Sequence, residues 1–222
     1  LIKTLVNDNH YPGFYVISFE ANDLPSGVYL IHLVSGDNGI SVWTNYPGFT
    51  IYYSDIANSN SNISLDFPGD GYLWIAPLME HPYSSEKAIL GGGGISAGNY
   101  LVELTIQGNQ ITYSEQDFNF SGTISAMGYS PINPSYRYVL TDNGKFYYSF
   151  NDGETWTMTT SFTGPGSHYF YGSTIWASPS ELGTVYIGGS GYSNSPVYIS
   201  ENHGQSFTTM NNGLPNTLVF QL

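Results

Sequence analysis

The chain has 222 residues, enough for one domain with a sizeable core or for one domain with a small module attached. It has 17 acidic residues against four basic ones and a formal net charge of −13. It therefore lacks the cluster of Lys and Arg that a nucleic-acid backbone or an anionic membrane surface requires. The absence of Cys excludes disulfides, thiolate nucleophiles and thiolate metal sites.

The composition favours strands and tight turns. Twenty Tyr, 12 Phe and 4 Trp suit a pleated, half-buried surface, and 26 Gly and 12 Pro suit turns. No apolar periodicity of a helix is visible, and no apolar run approaches the roughly 18 residues that span a bilayer. We therefore predict an all-β protein without membrane insertion.

The first 35 residues predict a β-hairpin. Tyr15–Phe19 alternates like a strand, Leu24–Gly27 supplies a turn, and Val28–Leu33 forms the second strand. Residues 12–33 resemble the Ig-like module of type IX secretion sorting domains and of the flagellar hook-cap protein. The resemblance implies an Ig-like module at 1–35 before propeller blades at 36–222; a partial blade or a plain hairpin is the alternative.

A repeat of about 48 residues follows. Pro131 and Pro179 each begin a turn that leads into a strand, and Pro82 lies 49 residues before Pro131. An apolar residue stands seven positions after each proline, namely Ile89, Tyr138 and Tyr186. A short apolar strand precedes each turn, at Leu73–Ala76, Ile124–Met127 and Thr174–Ala177. About four strands per repeat is the size of one blade, so we predict a β-propeller-type array of four-stranded antiparallel blades.

Two repeats close on the same turn pattern, 51 residues apart. A Ser is followed by Asn, Gly, a hydroxyl residue and an aromatic residue at matching positions. We predict a hairpin whose Asn accepts backbone N–H hydrogen bonds, whose Gly takes a positive φ and whose aromatic ring packs beneath the turn. The residues are Ser149, Asn151, Gly153, Thr155, Trp156, Ser200, Asn202, Gly204, Ser206 and Phe207.

Both stretches resemble the Asp-box of the bacterial neuraminidase (BNR) repeat, with Asn in place of the usual Asp. Asp-boxes occur in sialidases, sortilin-type receptors, xyloglucan-cleaving glycosidases and other propellers. The resemblance implies a propeller of that superfamily, with the motif at the blade periphery and away from the ligand-binding face. A degenerate copy at Tyr52–Asn58 indicates a further blade.

The last residues, Thr217–Leu222, predict the opening strand of another blade. At about 48 residues per blade, the chain holds about three and a half to four blades, fewer than the roughly six to eight of Asp-box propellers. We therefore expect an incomplete propeller or a fragment of a longer polypeptide.

The residues that carry chemistry do not form a recognisable catalytic set. Resemblance to sialidases implies three substrate-binding arginines, and the chain has one, Arg137. Six carboxylates near strand ends are candidates for the acid and base of a glycoside hydrolase, but no pair stands out. They are Asp66, Asp70, Glu80, Glu103, Asp117 and Asp142.

No cofactor is expected. The five His residues are not spaced as metal ligands, and Gly91–Gly94 lacks the helix and the Lys that a phosphate cradle needs. Ca²⁺ is the one ion left open, because Asp37–Gly39 and Asp66–Asp70 carry oxygen ligands without matching a full calcium loop.

Aromatic residues in predicted loops are the candidates for recognition, because sugar rings and protein side chains both stack on them. They are Trp43, Tyr46, Tyr169, Tyr171 and Tyr192. The low charge and the polar, aromatic composition are typical of secreted or surface proteins of bacteria. We therefore predict a non-catalytic extracellular propeller for adhesion, display or recognition of a glycan or protein. The alternatives are a fragment of a secreted glycoside hydrolase and a structural segment of a larger surface assembly, in contact with further blades or chains.

Overall fold

The structure is a computed structural model in which all the described residues lie in the compact unit His32–Leu222. It describes the backbone of 33–35, 38–45, 48–55 and 62–67, and residues 73, 76–92, 98–108, 110–162, 164, 174–189, 195–210, 212–215, 217–219 and 222. Within these ranges there is no helix with the length and hydropathy needed to cross a membrane.

Sixteen strands are described, in four sheets that we number as blades 1 to 4. Blade 1 contains β1 (Leu33–Ser35), β2 (Asn38–Asn45), β3 (Gly48–Asp55) and β4 (Asn62–Phe67). Blade 2 contains β5 (Leu78–Glu80), β6 (Lys87–Leu90), β7 (Val102–Gln107) and β8 (Gln110–Glu115). Blade 3 contains β9 (Ile124–Tyr129), β10 (Arg137–Thr141), β11 (Phe146–Ser149) and β12 (Thr157–Met158). Blade 4 contains β13 (Thr174–Ala177), β14 (Val185–Gly188), β15 (Val197–Ser200) and β16 (Thr208–Thr209).

Each blade is a meander, in which every strand pairs antiparallel with the next strand along the chain. Short connections suffice for such a sheet, because antiparallel neighbours need only a hairpin turn between them. This arrangement confirms the predicted all-β, propeller-type array of four-stranded antiparallel blades. Of the hairpin predicted for residues 1–35, the structure describes only β1, which pairs with β2; the remainder lies outside the described residues.

The three repeat prolines occupy equivalent places. Pro82, Pro131 and Pro179 each lie in the turn between the first and second strands of a blade. The residue seven positions later pairs in each case with the residue three positions before the proline, as Met79↔Ile89, Gly128↔Tyr138 and Trp176↔Tyr186. The repeat in the sequence therefore corresponds to the same pairing of the first and second strands in each of these three blades.

The first strand of blade 2 begins later than the sequence predicts. The prediction of a strand at Leu73–Ala76 is wrong, because β5 is Leu78–Glu80 and both Leu73 and Ala76 lie outside it. Pro77 separates the two stretches and has no N–H to donate to a ladder. Its carbonyl accepts the N–H of Gly91 at 3.0 Å instead.

The second strand of blade 3, β10, contributes side chains to two hydrophobic clusters. Val139 packs into a cluster shared with blade 2, whereas Tyr138 and Leu140 pack into a cluster shared with blade 4. Successive side chains of a strand point to opposite faces, which is why the continuous apolar run of β10 fills both clusters. The first cluster is Ile89, Leu101, Phe120, Ile124, Val139 and Tyr147; the second is Ala126, Tyr138, Leu140, Phe146, Ala177, Val185, Ile187 and Tyr198.

Two glycines of positive φ provide a matched test of this packing. Gly204 has φ +82°, and a Cβ there would lie 2.3 Å from Cε1 of Phe146 in the preceding blade. Gly108 has φ +57° with nothing within 4 Å of such a Cβ. We expect Gly108→Ala to lower the free energy of unfolding by about 1 kcal/mol through backbone strain, and Gly204→Ala by about 3 kcal/mol through strain and overpacking together. Urea unfolding measures both, and equal losses would show that Gly204 does not pack on blade 3.

Candidate functional site

Four turns of blades 3 and 4 lie at one edge of their sheets. In an antiparallel meander, the turns after the first and third strands emerge at the same edge. Backbone bonds join them in pairs: the N–H of Asp152 donates to Ser135 O at 3.0 Å, and the N–H of His203 donates to Gly183 O at 2.8 Å. We call the surface formed by residues 130–136, 150–156, 178–184 and 201–207 the turn face.

The turn after β11 is closed by its own polar side chains. Ser149 Oγ accepts the N–H of Gly153 at 2.9 Å and donates to Asn151 Oδ1 at 2.9 Å. Asn151 Oδ1 also accepts the N–H and the hydroxyl of Thr155, both at 3.1 Å. Gly153 has φ +86°, which a residue with a side chain rarely adopts.

The turn after β15 repeats this network. Ser200 Oγ accepts the N–H of Gly204 at 2.8 Å, and Asn202 Oδ1 accepts the N–H of Ser206 at 2.9 Å. Asn202 Nδ2 donates to Ser206 Oγ at 2.8 Å. The Ser and Asn side chains of both turns are thus engaged within the turn, where they hold its backbone in one conformation.

The aromatic residue that ends each turn packs against the preceding linker. Trp156 contacts Phe120 with ring centroids 5.2 Å apart, and Phe207 contacts Phe162 at 4.6 Å. Phe207 also contacts Phe146 of β11 at 4.8 Å. The turn of blade 4 therefore packs against blade 3, and the turn of blade 3 packs against the linker that joins it to blade 2.

A substitution at Asn151 tests the turn network. We expect Asn151→Ala to lower the free energy of unfolding by about 1–2 kcal/mol, because it removes the acceptor for three donors. Asn151→Asp keeps the acceptor oxygen and should change stability by less than about 0.5 kcal/mol. Chemical denaturation of both variants measures the difference, and equal stability of the Ala and Asp variants would contradict the network.

The residue between Asn and Gly reaches the preceding blade in both turns. Asp152 and His203 have φ of 59° and 61°. Burial and, after it, the interaction of its hydroxyl with Asp152 raise the pKa of Tyr83 in blade 2. Asp152 also pairs with Arg137 of its own blade, Oδ1 to a terminal guanidinium nitrogen at 3.2 Å. Because Asp and His occupy this position in the two motifs, the sequence pattern does not predict these contacts.

Aromatic rings surround His203 where blade 4 meets blade 3. Tyr136 and Phe150 lie 4.9 Å and 5.5 Å from the His203 ring and 5.0 Å from each other. Tyr148 lies 5.2 Å from Phe150. We call these four residues the aromatic seam. The Phe150 side chain is 44% exposed, so the seam is open to solvent at its centre.

Burial of His203 makes the stability of the fold depend on pH. Desolvation lowers the pKa of this imidazole below its usual 6.5, so the folded state favours the neutral ring and the unfolded state binds protons more readily. The stabilisation is therefore present above pH 6.5 and is lost as the pH falls below that value. His81 adds to the effect, because burial lowers its pKa in spite of Glu103.

We expect the urea midpoint of the wild type to fall between about pH 7.5 and pH 5.5. His203→Asn should flatten this dependence without abolishing it, since His81 remains and Asn tolerates a positive φ. An unchanged pH profile in the variant would contradict burial of His203.

The described candidate carboxylates have separate structural partners. Glu80 accepts the Tyr129 hydroxyl at 2.8 Å, and Glu103 binds Lys87 at 2.7 Å and His81 at 3.6 Å through its two oxygens. Asp142 Oδ1 accepts the N–H of Thr123 at 3.0 Å, whereas Asp117 is exposed. Asp66 lies in β4, and Asp70 lies outside the described residues. No group of three His, Asp or Glu residues in the described part of the chain is arranged to hold a metal ion.

The exposure of the aromatic residues predicted to stack a ligand is not described, so their role stays a prediction. Trp43 lies in β2, paired with Thr50; Tyr46, Tyr169, Tyr171 and Tyr192 lie outside the described residues. The signal for Phe150 was present in the sequence, because it directly precedes the Asn of the first turn motif. Its exposure depends on how the next blade packs, which no local pattern shows.

No protein-family model and no curated protein matches the chain. Its structure is similar to a GH74 enzyme of Niastella koreensis, with a TM-score of 0.51 and 22% identity over 76% of this chain and 29% of that one. An ancestral GH74 enzyme gives a TM-score of 0.52 and 17% identity over 83% and 26% of the two chains. YCF48 from Cyanidioschyzon merolae gives 0.51 and 13% identity over 89% and 61%.

All three are β-propeller proteins. The fold is a β-propeller. The chain spans less than a third of either GH74 chain and about three-fifths of the YCF48 chain. At these identities the likeness shows the fold alone.

Proposed function

We propose that the chain is a non-catalytic propeller scaffold of a secreted or surface-exposed bacterial protein, used in adhesion, display or recognition of a glycan or protein. The observation that carries the proposal is a contrast between two sets of side chains. Three described candidate carboxylates are engaged in structural contacts, whereas the centre of the aromatic seam is open to solvent.

The contacts of the carboxylates argue against hydrolysis by these residues. A glycoside hydrolase needs two carboxyl groups on either side of the scissile bond, one as acid and one as base or nucleophile. Both oxygens of Glu103 are held by Lys87 and His81, and Glu80 and Asp142 each accept a hydrogen bond from a neighbouring strand or linker. Glu103 therefore already stabilises the pairing of β6 with β7, Glu80 joins blade 2 to blade 3, and Asp142 fixes the chain before β9.

The turn motifs support a place among Asp-box propellers of the BNR type. In both described copies, Ser and Asn side chains close the turn between the third and fourth strands, and the following aromatic ring packs towards the preceding blade. Export, by type IX secretion or another route, is proposed from composition and from the resemblance of residues 12–33 to a sorting module.

A fragment of a secreted glycoside hydrolase is the second candidate, because two of the similar structures are GH74 enzymes. In that case the catalytic carboxylates come from outside the described residues or from further blades. A structural segment of a larger surface assembly is the third candidate, and it predicts no small ligand at all.

Binding and hydrolysis are separated in one experiment. The purified chain is incubated with a panel of plant and bacterial surface glycans, xyloglucan oligosaccharides included, and with a library of short peptides. We expect saturable binding of at least one ligand by calorimetry and no release of new reducing ends from any glycan. Hydrolysis that disappears in Glu80→Gln, Glu103→Gln or Asp142→Asn would overturn the proposal, and absence of both binding and hydrolysis would favour the structural segment.

A further inference from the structure

The aromatic seam is built by the pairing of two strands. Arg137 of β10 pairs with Ser149 of β11, which places Tyr136 and Phe150 across from each other at the end of the ladder. Tyr148 lies two residues before Phe150 and on the same side of the strand. His203 closes the group from the next blade, so the seam exists only when blades 3 and 4 are packed together.

The turn face around the seam carries further large hydrophobic side chains that are exposed. Besides Phe150, the side chain of Ile132 is 43% exposed and that of Leu182 is 49% exposed. These residues come from the two turns that lie beside the seam, one in blade 3 and one in blade 4. A group of large exposed side chains on a turn-rich face is typical of a surface that contacts another molecule.

The charges of the turn face have one sign. The four turns carry the exposed carboxylates Asp152, Glu154, Glu181 and Glu201 and contain no Lys or Arg. Arg137, which directly follows the first of these turns, is 5% exposed and paired with Asp152, so its charge is already engaged. The rest of the chain adds to this field, since the net charge is −13.

We infer that the aromatic seam binds a cationic segment of a protein partner, in which an Arg or Lys side chain lies over the Phe150 ring. This inference rests on the proposed binding function and names its partner, and it places that partner beside the turn motifs, whereas the resemblance to Asp-box propellers implies a ligand-binding face elsewhere. The face of an aromatic ring attracts a cation within about 6 Å, and the carboxylates of the turn face other than Asp152, which is paired with Arg137, increase the local concentration of cations. An Arg fits better than a Lys, because its planar guanidinium stacks on rings and pairs with carboxylates at its edge.

The same charges disfavour the other ligand class. A neutral glycan can donate hydroxyl hydrogen bonds to these carboxylates but has no charge for their combined field to attract, and a sialylated or phosphorylated glycan is repelled by them. Ile132 and Leu182 suit the apolar side chains that flank a basic residue in a peptide. The observations therefore favour a polypeptide at this surface.

The test uses a fluorescent peptide of alternating Arg and Leu and a matched peptide in which citrulline replaces Arg. Citrulline keeps the shape of the side chain without its charge. We expect the Arg peptide to bind the full chain, with an affinity that falls as salt is raised, and the citrulline peptide to bind at least about tenfold more weakly.

Three variants locate the site. Phe150→Ala should weaken binding about three- to tenfold, Phe150→Tyr should keep it within about twofold, and Glu201→Gln should weaken it about twofold. Tyr113→Ala is the matched control, since it removes an exposed ring from β8 of blade 2. Thermal melting confirms that Phe150→Ala remains folded, and rescue by Tyr distinguishes a lost ring from a lost fold.

Equal binding of the Arg and citrulline peptides, or equal loss in Phe150→Ala and Tyr113→Ala, would overturn the inference. Displacement of the Arg peptide by a neutral glycan, with loss of glycan binding in Phe150→Ala, would also overturn it while leaving the proposed binding function intact. Absence of binding by any peptide or glycan would overturn both.

Discussion

The packing of each blade against the one before it is the constraint on which the described structure depends. Blades 3 and 4 consist of short strands of two to six residues, and isolated meanders of this size bury little apolar surface. The hydrophobic clusters lie between blades, and β10 contributes to both by alternating its side chains. A blade is therefore stable because of its neighbours, as in other repeat architectures.

The turns after the third strands extend this packing to the edge of the sheets. Their Ser and Asn side chains accept hydrogen bonds from backbone N–H groups of the turn. These bonds fix the orientation of the residue after Asn and of the aromatic residue that ends the turn. The residue after Asn then contacts the preceding blade, and the aromatic residue at the end of the turn contacts the preceding linker. Hydrogen bonds within the turn thus position the residues that contact the preceding blade or linker. The aromatic seam is a by-product of this arrangement, since His203 completes it from blade 4.

Much of the fold could be predicted from the sequence because each repeat contains the same local features, a proline turn followed by an apolar strand, at a nearly constant spacing. Pro82, Pro131 and Pro179 mark equivalent turns. In each repeat, the apolar residue seven positions after the proline pairs with the residue three positions before it. The start of β5 differs from the prediction because Leu73–Ala76 has the composition of a strand, whereas the described strand begins only after Pro77, which has no N–H to donate. Composition alone does not distinguish the two stretches.

The candidate site was harder to predict, because its residues come together over long distances in the chain. Tyr136 and His203 lie in different blades, and no pattern within either repeat indicates that their rings touch. Likewise, the pairing of Glu103 with Lys87 and His81 becomes visible only when neighbouring strands are in register. Composition predicts aromatic residues as candidates for recognition, which stays a prediction, but which ring is exposed is decided by the packing of the next blade.

The central claim is that the turn of one blade packs against the blade before it. Nuclear Overhauser effects between ring protons, in a sample labelled at His and Phe, test it most directly. The account predicts cross-peaks from His203 to Phe150 and from Phe207 to Phe146, each joining blade 4 to blade 3. Cross-peaks from His203 and Phe207 to residues of blade 4 alone would contradict it.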